Sequence, residues 1–428
     1  MRIVGLISLL ICQQFYAQSI LVKEFTKTLC SQEFHGRGYV NNGCNIAADY
    51  IIKTFQEIGL APINGTYAQE FSFDVNTFPS FCSIKLDSLT LQPGIDFLVN
   101  PSSGSTCVLA ACPEGKTFPI LFIDAVNFFS NKKKILGLRT EFDFKKDSVL
   151  VVDLTNCKEQ EIKEIRKELT VLANYRPIVE ITGEKFTWSV SQRAFLFPYI
   201  QIQKKVFSLS QDSIFINIEN KFLENFTAEN IFGEIPARKK TDKAIIITAH
   251  YDHLGRMGKE TYFPGANDNA SGNGMLLSLI EKLIRKPLKN YNIVFVAFAG
   301  EEAGLIGSEF MVNHPLFPLK NIRFLLNLDI MGSGEDGITV VNSSLFEKEF
   351  KVLCDLNLKR KLIKQIKPRG PAANSDHYHF TQNGVPSFFI YTMGPNKHYH
   401  DVYDTYEELS FDAFNSLSKL LESFLRKL

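Results

Sequence analysis

The stretch Pro264-Gly265-Ala266-Asn267-Asp268-Asn269-Ala270-Ser271-Gly272 sets one acidic residue in a turn rich in glycine and asparagine, directly ahead of an amphipathic run. Glycine and asparagine tolerate unusual backbone angles and asparagine is a good helix cap, so such a turn can aim Asp268 away from the helix it begins. Upstream, the β-like run Ala244 to Thr248 leads into Ala249-His250-Tyr251-Asp252-His253-Leu254-Gly255. Downstream, Ile293 to Phe298 leads into Ala299-Gly300-Glu301-Glu302, and Phe324 to Leu326 leads into Asn327-Leu328-Asp329. Three sets of polar residues therefore follow the C-terminal ends of apolar strands, where open α/β sheets gather their ligands. With His398-Tyr399-His400 near the end of the chain, the pattern predicts a two-metal hydrolase site centred on Asp268.

Around that centre, residues 228–428 alternate strands with helical patterns, the mark of an α/β sheet covered by helices. Leu276, Leu279, Ile280, Leu283 and Ile284 form one helical face, and Phe411, Phe414, Leu417, Leu421 and Phe424 another, with Ser410 as its expected N-cap. Ala47, Ile51, Phe55 and Ile58 predict a helix stopped by Gly59, followed by strands at 69–75 and 82–91. From about 87 to 227 the character changes. Short β-like runs (118–124, 148–153, 177–182, 197–202 and 213–217) are interrupted by one charged helical pattern, Lys158 to Leu172, and the stretch contains no histidine. The expected organisation is a mixed β-sheet sandwiched by helices, formed by 19–86 with 228–428, and an inserted mostly-β domain at 87–227.

Length and composition are compatible with that reading. A chain of 428 residues suits one large or two medium domains, and 45% apolar with 22% charged residues is ordinary for a soluble globular protein. A formal net charge of +1 gives no support for nucleic acid or an anionic membrane as partner. Residues 1–18 combine Arg2, an apolar run from Ile3 to Cys12 and small residues near Ala17, which predicts a cleaved secretory signal and a secreted or periplasmic protein. Leu10-Ile11-Cys12 is close to a lipoprotein box, but bulky Ile11 argues against one. No other run reaches the ~18 residues of a membrane span. Eight cysteines are present, seven once Cys12 is removed; Cys107 and Cys112 are close enough to bridge a short loop, or are buried thiols. The basic cluster Lys132-Lys133-Lys134 reads as a solvated loop.

Hydrolysis of a peptide bond at neutral pH needs an activated water, a polarised carbonyl and a proton shuttle, and a pair of metal ions supplies the first two. Such a pair needs a bridging carboxylate, further N/O ligands and an open position. His250, Asp268, Glu302, Asp329 and His400 are five such ligands, which leaves Glu301 as general base. Asp252, two residues beyond His250, is placed to take the imidazole's other N–H.

Together, the segments 249–255, 264–272, 297–308, 327–329, 375–377 and 398–405 resemble the co-catalytic dizinc exopeptidases of the bacterial leucyl aminopeptidase and glutamate carboxypeptidase type. The resemblance covers about 228–410, with a weaker echo at Phe34-His35-Gly36-Arg37. It implies two zinc ions, one on His250, Asp268 and Asp329, the other on Asp268, Glu302 and His400, with Glu301 as base and a cis bond after Asp268. The family places its last histidine four residues before Asp-Thr, here Asp404-Thr405, which selects His400 over His398, His377 and His379. Where some relatives carry an oxyanion-donating tyrosine this chain has Ala372, and Tyr399 or Tyr378 is the expected substitute. The resemblance implies an aminopeptidase acting on peptides. A carboxypeptidase or a glutaminyl-cyclase-like acyl transferase on the same fold is the second reading, and a non-catalytic binding ectodomain the third. Oligomeric state is not legible.

Overall fold

The computed structural model describes residues 21–107, 114–125, 128 and 148–428. The expected signal at 1–18, Cys112 and the 132–134 lysines lie outside the described residues. Cys107 is disulfide-bonded, while Cys30, Cys44, Cys82, Cys157 and Cys354 are free thiols.

The apolar runs of the C-terminal half become the centre of an eight-stranded mixed sheet. Its order is Ala68–Thr77, Lys221–Ile235, Asn292–Phe298, Ala244–His250, Ile322–Leu328, Ser387–Met393, Gly337–Val341 and Ile366–Pro368. Ala244–His250 lies between Asn292–Phe298 and Ile322–Leu328, parallel to both, and Ile322–Leu328 pairs in parallel with Ser387–Met393. These strands read as continuous hydrophobic runs because both faces are covered. Ile245, Ile247, Phe295 and Leu326 pack with helices Gly43–Ile58, Ser271–Arg285 and Phe414–Leu425. Alternate residues Ile246, Val294, Val296 and Leu325 pack on the opposite face with Met311, Val312 and Phe380 of helices Ile306–Asn313 and His377–Gln382. The α/β sheet sandwiched by helices is therefore as expected.

Between Thr77 and Cys82 the chain leaves this sheet, and it returns between Ile218 and Lys221. The strands in between form a second eight-stranded sheet containing Lys116–Asp124, Val149–Asp153, Ile178–Thr182, Tyr199–Gln203 and Ser213–Ile218, with the helix Glu159–Leu172 packed on it. Gly59 ends the helix Gly43–Ile58 as expected, in the left-handed region at φ 89° with its N–H donating to Phe55 and Gln56 carbonyls. The last helix departs from expectation. It begins at Phe414 with Ala413 as its N-cap, not Ser410. Phe411 takes a left-handed φ of 55° and its N–H donates to the Gly332 carbonyl at 3.1 Å, so 410–413 is spent on a turn tied to the loop beyond Asp329.

The segment Gln32–Arg37 and the residues after it press directly on 253–263. A Cβ on Gly38 would overlap the Gly255 main chain. Main chain cannot yield as a side-chain tip can, so Gly38→Ala should cost about 1–3 kcal/mol of unfolding free energy, read as a lower denaturant midpoint.

Candidate metal centre

The polar residues that follow the parallel strands meet at one end of the first sheet. His250 is the last residue of Ala244–His250, and Asp329 directly follows Ile322–Leu328. Glu301 and Glu302 stand three and four residues beyond Phe298, itself paired with His250. His250 Nε2 lies 3.2 Å from Asp268 Oδ1 and 3.4 Å from Asp329 Oδ1. His400 Nε2 lies 3.1 Å from Asp268 Oδ2 and 3.3 Å from Glu302 Oε2. One oxygen of the Asp268 carboxylate thus faces each imidazole. Glu301 is near His250 and Asp329, the three offering ligand atoms within 4.8 Å of one another. All of the expected site residues are brought together.

The turn that carries Asp268 is held by its own asparagines. Gly265 enters at φ 57°, and Asp268 and Asn269, joined by a cis peptide bond, have non-helical angles ahead of the helix Ser271–Arg285. Asn269 Nδ2 donates to the Leu328 carbonyl at 3.1 Å, and its Oδ1 accepts from the N–H groups of Gly272 and Ile330. Asn273 Nδ2 donates to the His250 carbonyl at 2.6 Å. Asn267 Oδ1 accepts from Gly332 N–H. The stretch therefore ties the Asp268 turn to the strand ends that bear His250 and Asp329.

Several contributors were not singled out from sequence. Arg37, fully buried, donates to the carbonyls of Leu29, Tyr251, Pro264, Gly265 and Asp268. It staples the turn to the strand end beside it; the Phe34-His35-Gly36-Arg37 echo was its sequence signal. Asp404 accepts from the N–H groups of Asn267 and Asp268 at 2.9 and 3.0 Å. His253 Nδ1 lies 2.8 Å from Glu302 Oε1, and its place one residue after Asp252 could have marked it.

Asp252 has a different position from the one expected. His250 Nδ1–H donates to the main-chain carbonyl of Asp252 at 3.2 Å, while the carboxylate stands 3.8 Å away. That carboxylate instead accepts from Tyr39 O–H at 2.6 Å and from the N–H groups of Glu301 and Glu302, each at 3.2 Å. It fixes the turn bearing the two glutamates, whose amides lie closer to it than the imidazole nitrogen does.

Burial is the largest influence on every group in the cluster, and it disfavours charge. Opposed to it, His250 and His400 hold Asp268 well below the usual carboxylate range. Glu302 is held down at about 2, chiefly by His400. Glu302 and Asp268 raise His400 to about 11, and Glu301, Asp329 and Asp268 raise His250. Glu301 goes the other way: burial, with Glu302, Asp376 and Asp329 nearby, pushes its carboxyl well above the usual range although His250 pulls it down. The cluster holds more carboxylates than two imidazoles can neutralise, and Asp329 Oδ1 is buried without a hydrogen-bond donor. Nitrogen and carboxylate donors converging in this way fit borderline divalent cations such as zinc.

Residues 230–425 match the model of peptidase family M28. The chain is 29% identical over 229 residues to leucine aminopeptidase 1 of Arthroderma otae, covering 48% of this chain and 60% of that protein. It is 29% identical over 210 residues to aminopeptidase YwaD of Bacillus subtilis, covering 47% and 45%. The match thus spans no more than about three-fifths of either relative's length. Among solved structures, a zinc aminopeptidase from Bacillus subtilis shares the fold at a TM-score of 0.69 and 18% identity, over 95% of this chain and 93% of that one.

Asp252→Asn should place an amide N–H₂ against a main-chain N–H and release the Glu301–Glu302 turn. Calorimetric titration with zinc should show a roughly 10–100-fold weaker affinity. Unchanged binding would remove Asp252 from the support of the site.

Proposed function

We propose that this chain, whose residues 230–425 match the model of peptidase family M28, is an exported dizinc aminopeptidase that removes N-terminal residues from peptides. One observation carries the reading: the Asp268 carboxylate presents one oxygen to His250 and the other to His400, the arrangement of a carboxylate shared by two ions. His250, Asp268 and Asp329 would hold one zinc, and Asp268, Glu302 and His400 the other. Bound there, the two ions would acidify a water and polarise the scissile carbonyl. Export is read from residues 1–18 alone. Among the described residues, no helix is long and apolar enough to cross a membrane.

The remaining work falls to the side chains. Glu301 takes the proton of the attacking water on a carboxylate oxygen and passes it to the leaving amine. A carboxyl whose proton affinity is raised by burial is suited to holding that proton between the two transfers. Tyr399 rather than Tyr378 is the donor to the developing oxyanion. The Tyr399 ring stacks on His400 with centroids 3.9 Å apart and is 48% exposed, whereas Tyr378 lines a separate cavity with Ala372 and Thr381. Although the residue is half exposed, desolvation of the phenol beside the buried cluster, reinforced by the Asp268 and Glu302 carboxylates, pushes it up, so it stays protonated and able to donate.

Elemental analysis of purified protein should give two zinc ions per chain, and chelation should abolish release of amino acids from unblocked peptides. One ion or none after dialysis against zinc would count against the dinuclear site. Release of a C-terminal residue, or formation of pyroglutamate, would replace the aminopeptidase reading by the carboxypeptidase or cyclase one.

The two adjacent glutamates should separate cleanly. Glu301→Gln is nearly isosteric and loses only the proton acceptor, so it should keep both zinc ions while activity falls by about 10²–10⁴. Glu302→Gln removes an anionic ligand, so zinc content should fall together with activity. The reverse pattern would exchange the two roles.

A further inference from the structure

The second metal-binding histidine is held from outside the first sheet. His400 Nδ1–H donates to the Trp188 carbonyl at 2.8 Å, and Trp188 N–H donates to the His400 carbonyl at 2.9 Å. Trp188 lies between Ile178–Thr182 and Tyr199–Gln203, two strands of the second sheet. A carbonyl oxygen can only accept, so this contact keeps a proton on Nδ1 and leaves Nε2 as the nitrogen that faces Asp268 and Glu302 and would meet an ion there. His400 itself sits at a left-handed φ of 55°, which the reciprocal pair of bonds holds in place.

The same segment touches other parts of the site. The Trp188 ring, 4% exposed, stacks on Phe263 at 4.5 Å and donates its indole N–H to the Val99 carbonyl at 2.7 Å. Phe263 immediately precedes the turn that carries Asp268. Gln192 Nε2 donates to the Ala303 carbonyl at 2.9 Å, beside Glu302. Lys185 pairs with Asp401 at 2.8 Å, next to His400. His250 differs in this respect, since its Nδ1 partner is the carbonyl of Asp252 in the same loop.

We infer that residues 185–192 are a strap by which the second sheet positions His400, so that one of the two metal sites depends on that sheet and the other does not. The inference rests on the dizinc reading. Trp188 is a positioning residue, acting through His400.

The test is zinc titration of metal-free protein by calorimetry, with His250→Ala and His400→Ala marking which binding step belongs to which histidine. Trp188→Ala should weaken only the step that His400→Ala abolishes, by about 10–100-fold, and leave the other unchanged. Trp188→Phe, which keeps the ring against Phe263, should recover most of the loss. In zinc-loaded protein with ¹⁵N-labelled histidine, the His400 Nδ1–H proton resonance should be protected from solvent exchange in the wild type and exchange rapidly in Trp188→Ala. Should Trp188→Ala not fold, the double variant Lys185→Met with Gln192→Ala decides, with a smaller loss expected at the same step. Equal weakening of both steps, or two unaltered steps with a protected Nδ1–H, overturns the inference. A wild type that takes up no zinc overturns the dizinc reading instead.

Discussion

Everything at the sheet end depends on keeping one carboxylate, that of Asp268, in line between two imidazoles. A side chain cannot be held so from its own Cα alone; the main chain on either side has to be fixed. Arg37 does this through the carbonyls of Pro264, Gly265 and Asp268, while also holding those of Leu29 and Tyr251, and Asp404 does it through two N–H groups. Both are buried ionisable groups whose donors or acceptors are met by backbone, the condition under which burying them is tolerable. Removing either would leave buried carbonyls or amides without partners, each costing about 1–3 kcal/mol.

The electrostatics follow from the same crowding. Asp252, Asp268, Glu302 and Asp329 lie in one buried region with His250, His253 and His400, and burial alone would drive protons onto the acids. The imidazoles oppose this, so neighbouring residues of the same type are pushed apart: Glu302 is held ionised while Glu301 retains affinity for a proton. Two adjacent glutamates with opposite tendencies suit the two roles proposed for them, a ligand and a proton carrier, from one turn of chain.

The strand runs and the residues directly after them were legible in the sequence, because strand period and strand-end placement are local properties. His250, Asp268, Glu302, Asp329 and His400 converge as the pattern requires. What was not legible is the set of contacts that cross the chain. Arg37 reaches carbonyls 214 to 231 residues away, and the Trp188 carbonyl holds a ring 212 residues distant. Nothing in the local composition around Trp188 marks it as a partner of a histidine. Asp252 was placed in the right loop, but which of its oxygens meets the imidazole depends on the competing Glu301 and Glu302 amides. Ser410 failed as a cap because Phe411 is drawn to Gly332 by a tertiary hydrogen bond.

The first sheet also closes its edge with a pairing between distant parts of the chain. Thr77 pairs with Lys221, and Ala68 with Ile231, so the two strands at that edge are neighbours in space but enclose the whole second sheet in sequence. Zipping them together closes a very long loop, whose entropy cost grows only slowly with length but delays the contact. If the second sheet folds first, it draws Cys82 and Ile218 into register and turns that long closure into a short one. The second sheet would then act as a folding template for the edge of the first, which makes a late-forming, non-local pairing effectively local.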